Sequence, residues 1–156
     1  AAGAAAMDGG LFWHLRAAIQ ERQAFDEVRR EVHEEIAAGG QRFSPRQMEL
    51  TDWQQRDFVP TLVGLFGGCS SIVAMRWFNF MSKGPRLMII LPALPFYIVP
   101  YQFVYHAREA QYLVEMMRED RRTKFAKVLR STFEAASKGL ESPVLEELEA
   151  GQEIPD

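Results

Sequence analysis

A chain of 156 residues has room for one modest core, or for a few membrane helices with soluble extensions. Its formal charge of −3 arises from 18 Lys and Arg set among 21 Asp and Glu, which gives no electrostatic ground for a nucleic-acid partner. One cysteine, Cys69, excludes an intrachain disulfide and any four-thiolate metal site. The mean hydropathy of −0.18 is ordinary, but it conceals a segregation, because the apolar residues gather in the middle third.

Residues 1–10 read as a flexible N-terminus. The opening AAGAAAMDGG lacks a methionine at position 1 and is expected either as the end left by removal of an organellar presequence or as an artefact of where the sequence starts. Residues 11–57 read as amphipathic N-terminal helices. Asp8 is placed to cap the first, and Leu11, Leu15, Ala18, Ile19, Phe25, Val28, Val32 and Ile36 recur at helical spacing up to the stop at Gly39-Gly40. Asp26 and Glu27 are expected to pair with Arg30 on the outer face. The stripe is narrow, and a neighbouring subunit or the membrane surface is expected to cover it. Ser44-Pro45-Arg46-Gln47 has the order of a capping box and opens a short helix towards Asp57.

Residues 58–105 predict a transmembrane hairpin, with spans at 58–80 and 87–105. From Phe58 to Met75 only Cys69 is ionisable, and eighteen helical residues reach about 27 Å, close to the roughly 30 Å of a hydrocarbon core. The pairs Gly64/Gly68 and Gly67/Ser71 put small residues one turn apart, a face that lets another helix approach closely. Trp53, Arg76, Trp77, Lys83 and Arg86 are the expected membrane-interface or headgroup residues, with Gly84-Pro85 breaking the chain between the spans. In the second span Pro92, Pro95 and Pro100 each remove an amide donor and predict a bent or partly unwound helix.

Residues 106–139 read as one charged C-terminal helix. Its apolar positions Ala110, Leu113, Met117 and Phe125, Leu129, Phe133 form two patches, expected to dock at two places. Ser142-Pro143 opens a short helix within the acidic tail, 140–156. Two spans put both termini on one side. The basic residues nearest the spans, Arg42, Arg46, Arg56, Arg108, Arg118, Arg121, Arg122 and Lys124, favour the inner side, which in a mitochondrion is the matrix.

No catalytic constellation is legible. His106 ends the second span without a partner histidine on a facing span, and EVHEE matches neither the H-E-x-x-H zinc pattern nor the E-x-x-H spacing of di-iron bundles, so a solvated helix face is expected for Glu31, His33, Glu34 and Glu35. The apolar environment expected mid-span disfavours the Cys69 thiolate. No cofactor and no catalytic or metal site is expected. The order FVP, glycine-bearing span, short basic turn and RLM entering a second span resembles the hairpins of hypoxia-induced-gene-domain proteins, small proteins associated with respiratory complexes. The resemblance covers about residues 58 to 90, lacks that family's basic, glutamine-containing motif at the turn, and carries no residue role over.

The sequence therefore predicts an all-α membrane protein, a two-span helical hairpin with amphipathic helical N- and C-terminal extensions. Its expected role is a non-catalytic accessory subunit of a multi-subunit membrane complex, a respiratory-chain or ATP synthase assembly of the mitochondrial inner membrane. The expected partners are other subunits and membrane lipids. An oligomeric pore or transporter component and a membrane-shaping or tethering scaffold are the alternatives.

Overall fold

The computed structural model of the chain describes residues 10–78, 90–118, 123–137 and 142–150. Every regular element among them is an α-helix: α1 Leu11–Gln20, α2 Arg22–Ala37, α3 Pro45–Gln55, α4 Val59–Trp77, α5 Ile90–Arg118, α6 Lys124–Ser137 and α7 Pro143–Ala150. They fall into two compact units, Ala1–Arg56 with Ala107–Asp156, and Asp57–His106.

The first unit has a core of large side chains. Phe25, Val28 and Val32 of α2 meet Phe125, Leu129 and Phe133 of α6, and Leu113, Met116 and Met117 of α5 complete the cluster with Val144 and Leu148 of α7. Phe25 and Phe133 pack edge to face at 5.3 Å, a geometry aromatic quadrupoles favour. Phe25, Val28 and Val32 of the stripe are thus covered by α6 of the same chain, the main helix partner of α2, while Leu11, Ile19 and Ile36 remain exposed. Residues 106–139 are not one helix: α5 ends at Arg118 and α6 begins at Lys124, so both apolar patches enter a single core rather than docking at two places. A separate helix can turn its patch back onto the same neighbours, which a straight continuation of α5 could not do.

Local signals act as their chemistry dictates. Gly39 and Gly40 stop α2 with φ of 94° and 68°, a backbone region that costs glycine little. At the head of α3 the Gln47 amide donates to Ser44 Oγ at 3.1 Å while the Ser44 amide donates to Gln47 Oε1 at 3.1 Å, closing the capping box. Gln47 is fully buried, and its Nε2 donates to the Met116 carbonyl at 3.2 Å, which ties the cap to α5. Asp8 lies outside the described residues, and Gly10 stands at the N-cap of α1 without a side-chain cap. The first amphipathic stretch is interrupted at Glu21, which separates α1 from α2.

Two polar groups, Asp26 and Glu35, depart from sequence expectation. Asp26 turns to Arg29 at 2.6 Å and to Arg22 at 3.8 Å rather than to Arg30, while Glu27 does take Arg30. Arg29 also grips Glu109 of α5 with two parallel bonds of 2.7 and 2.8 Å, the planar fork that suits guanidinium to carboxylate. Glu35 is not on a solvated face. It is buried, accepts from the Arg42 amide at 2.8 Å and from the Arg42 guanidinium, and so latches the glycine turn shut. The amide bond, with the guanidinium charge beside it, holds the Glu35 carboxyl below its ordinary range.

Candidate functional site

The second unit is built on the opposite rule. In α4 the buried residues are Pro60, Gly64, Gly68 and Ser71, a spacing of one helical turn that keeps small side chains on one face. On α5, Gly64 and Gly68 meet Tyr97 and Tyr101. A Cβ added at Gly64 would lie 3.0 Å from Tyr97 Cε2 and 3.1 Å from Tyr101 Cβ, while one at Gly68 would lie 3.4 Å from Tyr97 Cβ. These pairings run the two helices antiparallel. Ser71 spends its hydroxyl inside its own helix, donating to the Gly68 carbonyl at 2.7 Å.

Gly67 makes the closest approach. A Cβ there would collide with the Phe96 carbonyl oxygen and come within 3.3 Å of Pro100 Cγ. The identity of that oxygen follows from proline chemistry. In a helix the Phe96 carbonyl accepts from the amide four residues on, which is Pro100 and has no hydrogen to give. Gly67 brings the hydrogen that replaces its side chain to that freed acceptor, a weak Cα–H···O contact of the kind that accompanies close helix crossings.

Proline's effect on α5 is milder than unwinding. The helix runs from Ile90 to Arg118 through Pro92, in the first described turn, and through Pro95 and Pro100 in its interior. Tyr97, Tyr101 and Tyr105 stack along its face at centroid distances of 5.9 and 6.0 Å, with His106 set edge-on to Tyr105.

Large apolar side chains point the other way. Phe58, Leu62, Leu65, Phe66, Val73, Trp77, Leu91, Leu94, Ile98 and Val99 are exposed, Phe66 at 77% and Leu91 at 74%, and among the described residues Asp57–His106 carries fifteen of the twenty-two exposed large apolar side chains. Removing such a side chain from water is worth about 1.5–3 kcal/mol. Left wet, these side chains contribute none of that stabilisation, and an exposed apolar surface of this extent marks a face that meets lipid or another protein. Among the described residues one helical stretch, Pro45–Trp77, is long and apolar enough to cross a membrane, and only 17% of its apolar window is buried, against the pattern of a soluble core helix. The nineteen residues of α4 span about 28 Å. The apolar half of α5 is less hydrophobic because Tyr97, Tyr101, Tyr105, Gln102 and the prolines interrupt it.

At the ends of these helices, Arg76, Trp77 and Phe78 are exposed at the C-terminus of α4. Trp53 is in the other unit, on α3, where the Arg108 guanidinium stacks over its ring at 4.6 Å. Lys83, the Gly84-Pro85 break and Arg86 lie outside the described residues. Cys69 is exposed on α4. His14 is buried against Trp13, and His33 Nδ1 sits 2.8 Å from the Arg29 carbonyl. Among the described residues no three His, Cys, Asp or Glu side chains group to hold a metal ion. The tyrosine stack and the Gly67–Phe96 contact escape a reading by composition, although the i, i+4 spacing of the tyrosines and the four-residue reach of Pro100 are written in the sequence.

The chain matches no protein-family model, no curated protein and no solved structure, and the hairpin resemblance at residues 58 to 90 thus gains no support from them.

Proposed function

We propose that this protein is a non-catalytic accessory subunit of a multi-subunit membrane complex, held in the bilayer by a two-span hairpin over residues 58–105 and offering its charged helical unit to neighbouring subunits. The observation that carries the reading is the inversion of the hairpin, small residues inside and large apolar ones outside, which suits a lipid surround and has no rationale in water. The second span is supported by its pairing with α4 and by the absence of any formal charge from Leu87 to Tyr105. The mitochondrial inner membrane, with the termini in the matrix and a respiratory-chain or ATP synthase assembly as host, is the setting to test first. The basic residues flanking the spans favour that orientation.

Native membranes extracted first with alkaline carbonate and then with a mild detergent test both halves. The chain is expected to resist carbonate and then to migrate on a native gel within a large assembly whose subunits mass spectrometry identifies. Release by carbonate would overturn the membrane reading. Migration alone or as a small homo-oligomer would overturn the accessory-subunit reading.

A further inference from the structure

The helical unit contains a cleft of about 790 Å³ between α3 and the second half of α5, within the size range of small-molecule sites. Helical spacing puts Arg46, Glu49, Leu50 and Trp53 of α3 on one wall, and Tyr112 and Glu115 of α5 form the other. Several of these are already engaged. The Tyr112 hydroxyl lies 2.9 Å from Thr51 Oγ1, Arg108 stacks on Trp53, and Glu115 accepts from Arg118 at 2.8 Å while Arg118 also reaches Glu147 at 2.7 Å. Arg118 and the Arg108 guanidinium over Trp53 together offset Glu115 and Glu147, and the lining keeps one further cation and one further anion, Arg46 and Glu49, three residues apart on α3. Neither forms an ion pair among the described residues. Leu50 and the rings of Trp53 and Tyr112 supply an apolar floor. In the chain, both walls lead directly into the hairpin: α3 is followed by α4 after Arg56–Phe58, and α5 is continuous from the apolar half.

We propose that this cleft binds the zwitterionic phosphodiester headgroup of a phospholipid, Arg46 taking the phosphate and Glu49 the ammonium. The inference rests on reading residues 58–105 as bilayer-inserted, which supplies the lipid. A balanced lining with aromatic walls suits a headgroup of zero net charge, whereas a site for anionic lipid would carry a surplus of Lys and Arg.

The full chain, purified in a maltoside and reconstituted in nanodiscs holding equal phosphatidylcholine and phosphatidylglycerol of the same acyl chains, is ejected and weighed by native mass spectrometry. One phosphatidylcholine per chain is expected, enriched over phosphatidylglycerol by about threefold or more, a ratio that needs well under 1.4 kcal/mol. Glu49→Lys, at an exposed position, is expected to reverse the preference, and Gln55→Lys, exposed on the same helix but outside the cleft, to leave it intact. A retained ratio equal to the bulk ratio, or one indifferent to Glu49→Lys, overturns the proposal. Soluble glycerophosphocholine at millimolar concentration separates the sources: displacement of the lipid means the headgroup chemistry suffices and a free zwitterion is an equal ligand, and no displacement assigns the site to the lipid itself. Release by carbonate would remove the lipid source but leave the glycerophosphocholine titration as a direct test of the cleft.

Discussion

The two units bury opposite things. In the helical unit the largest fully buried side chains are Phe125, Phe133, Leu113, Met116 and Met117, whereas the hairpin buries Pro60, Gly64, Gly68, Ser71 and Ala93 and turns Phe58, Phe66, Phe96, Leu62, Leu65, Leu91 and Leu94 outward. Water drives the first arrangement, because apolar area removed from it is the main source of stability. Lipid offers no such drive, so helices that associate within it do so by backbone proximity, and a small side chain is worth more at the contact than a large one.

The sharpest way to break the comparison is to truncate phenylalanine in both units. Phe133→Ala opens a cavity against Phe25 and is expected to cost about 3–5 kcal/mol, while Phe66→Ala, 77% exposed, is expected to change stability by about 0.5 kcal/mol or less. Chemical denaturation of the detergent-solubilised chain, followed by hydrogen exchange resolved by segment, reads both. A comparable loss from Phe66→Ala would mean that the hairpin hides that ring against protein and that the inversion is not a lipid adaptation.

A second comparison runs within the hairpin, where the effect expected is smaller. Gly67→Ala places a methyl on the Phe96 carbonyl and is expected to cost about 1–3 kcal/mol, as overpacking does, with faster exchange in α4 and the first half of α5. Gly68→Ala meets Tyr97 at an ordinary van der Waals distance and is expected to be nearly neutral. Pro100→Ala returns a donor to the Phe96 carbonyl, so the penalty of Gly67→Ala is expected to differ in that background, a coupling a double-mutant cycle measures. Equal costs at Gly67 and Gly68 would dissolve the distinction between a face of small residues and one fitted contact.

Much of this was legible before any coordinates. Helical periodicity, the Gly39-Gly40 stop, the Ser44 capping box and the Ser142-Pro143 start are local chemistry, and local chemistry is what a sequence states directly. At Ser142 the hydroxyl accepts from the Leu145 amide at 3.3 Å, as a cap should. The fate of the α2 stripe was not legible, because Phe133 reaches Phe25 only after α6 breaks away from α5, and the distance between those residues in the chain hides the pairing. Glu35 was missed for a similar reason. In EVHEE it looks like its neighbours, and only the return of the chain through Gly40 brings the Arg42 amide to it. The small-residue pattern of α4 was visible, but that its neighbour would be the tyrosine face of the next helix was not.

The finest contrast lies between two glutamates of the helical unit, and it is expected as opposite pH dependences. Glu35 has its carboxyl lowered by the Arg42 amide and guanidinium. Its stabilisation is therefore present above the ordinary value of 4.5 and lost as pH falls through the lowered one. Glu21 has its carboxyl raised, chiefly by burial and in spite of the bond it accepts from Ser142 Oγ at 2.6 Å. Its folded form holds the proton more tightly than the unfolded chain, so stability is greatest below 4.5 and declines as pH rises through the raised value. Glu35→Gln should then weaken the chain at neutral pH and lose that effect in acid. Glu21→Gln, which keeps an acceptor for Ser142 without the buried charge, should strengthen the chain at neutral pH and do little below 4.5. Denaturation midpoints at pH 3 and pH 7 decide this, and slopes of the same sign for both variants would mean that the Glu21 carboxylate, next to the start of α7, is held by favourable contacts rather than penalised by burial.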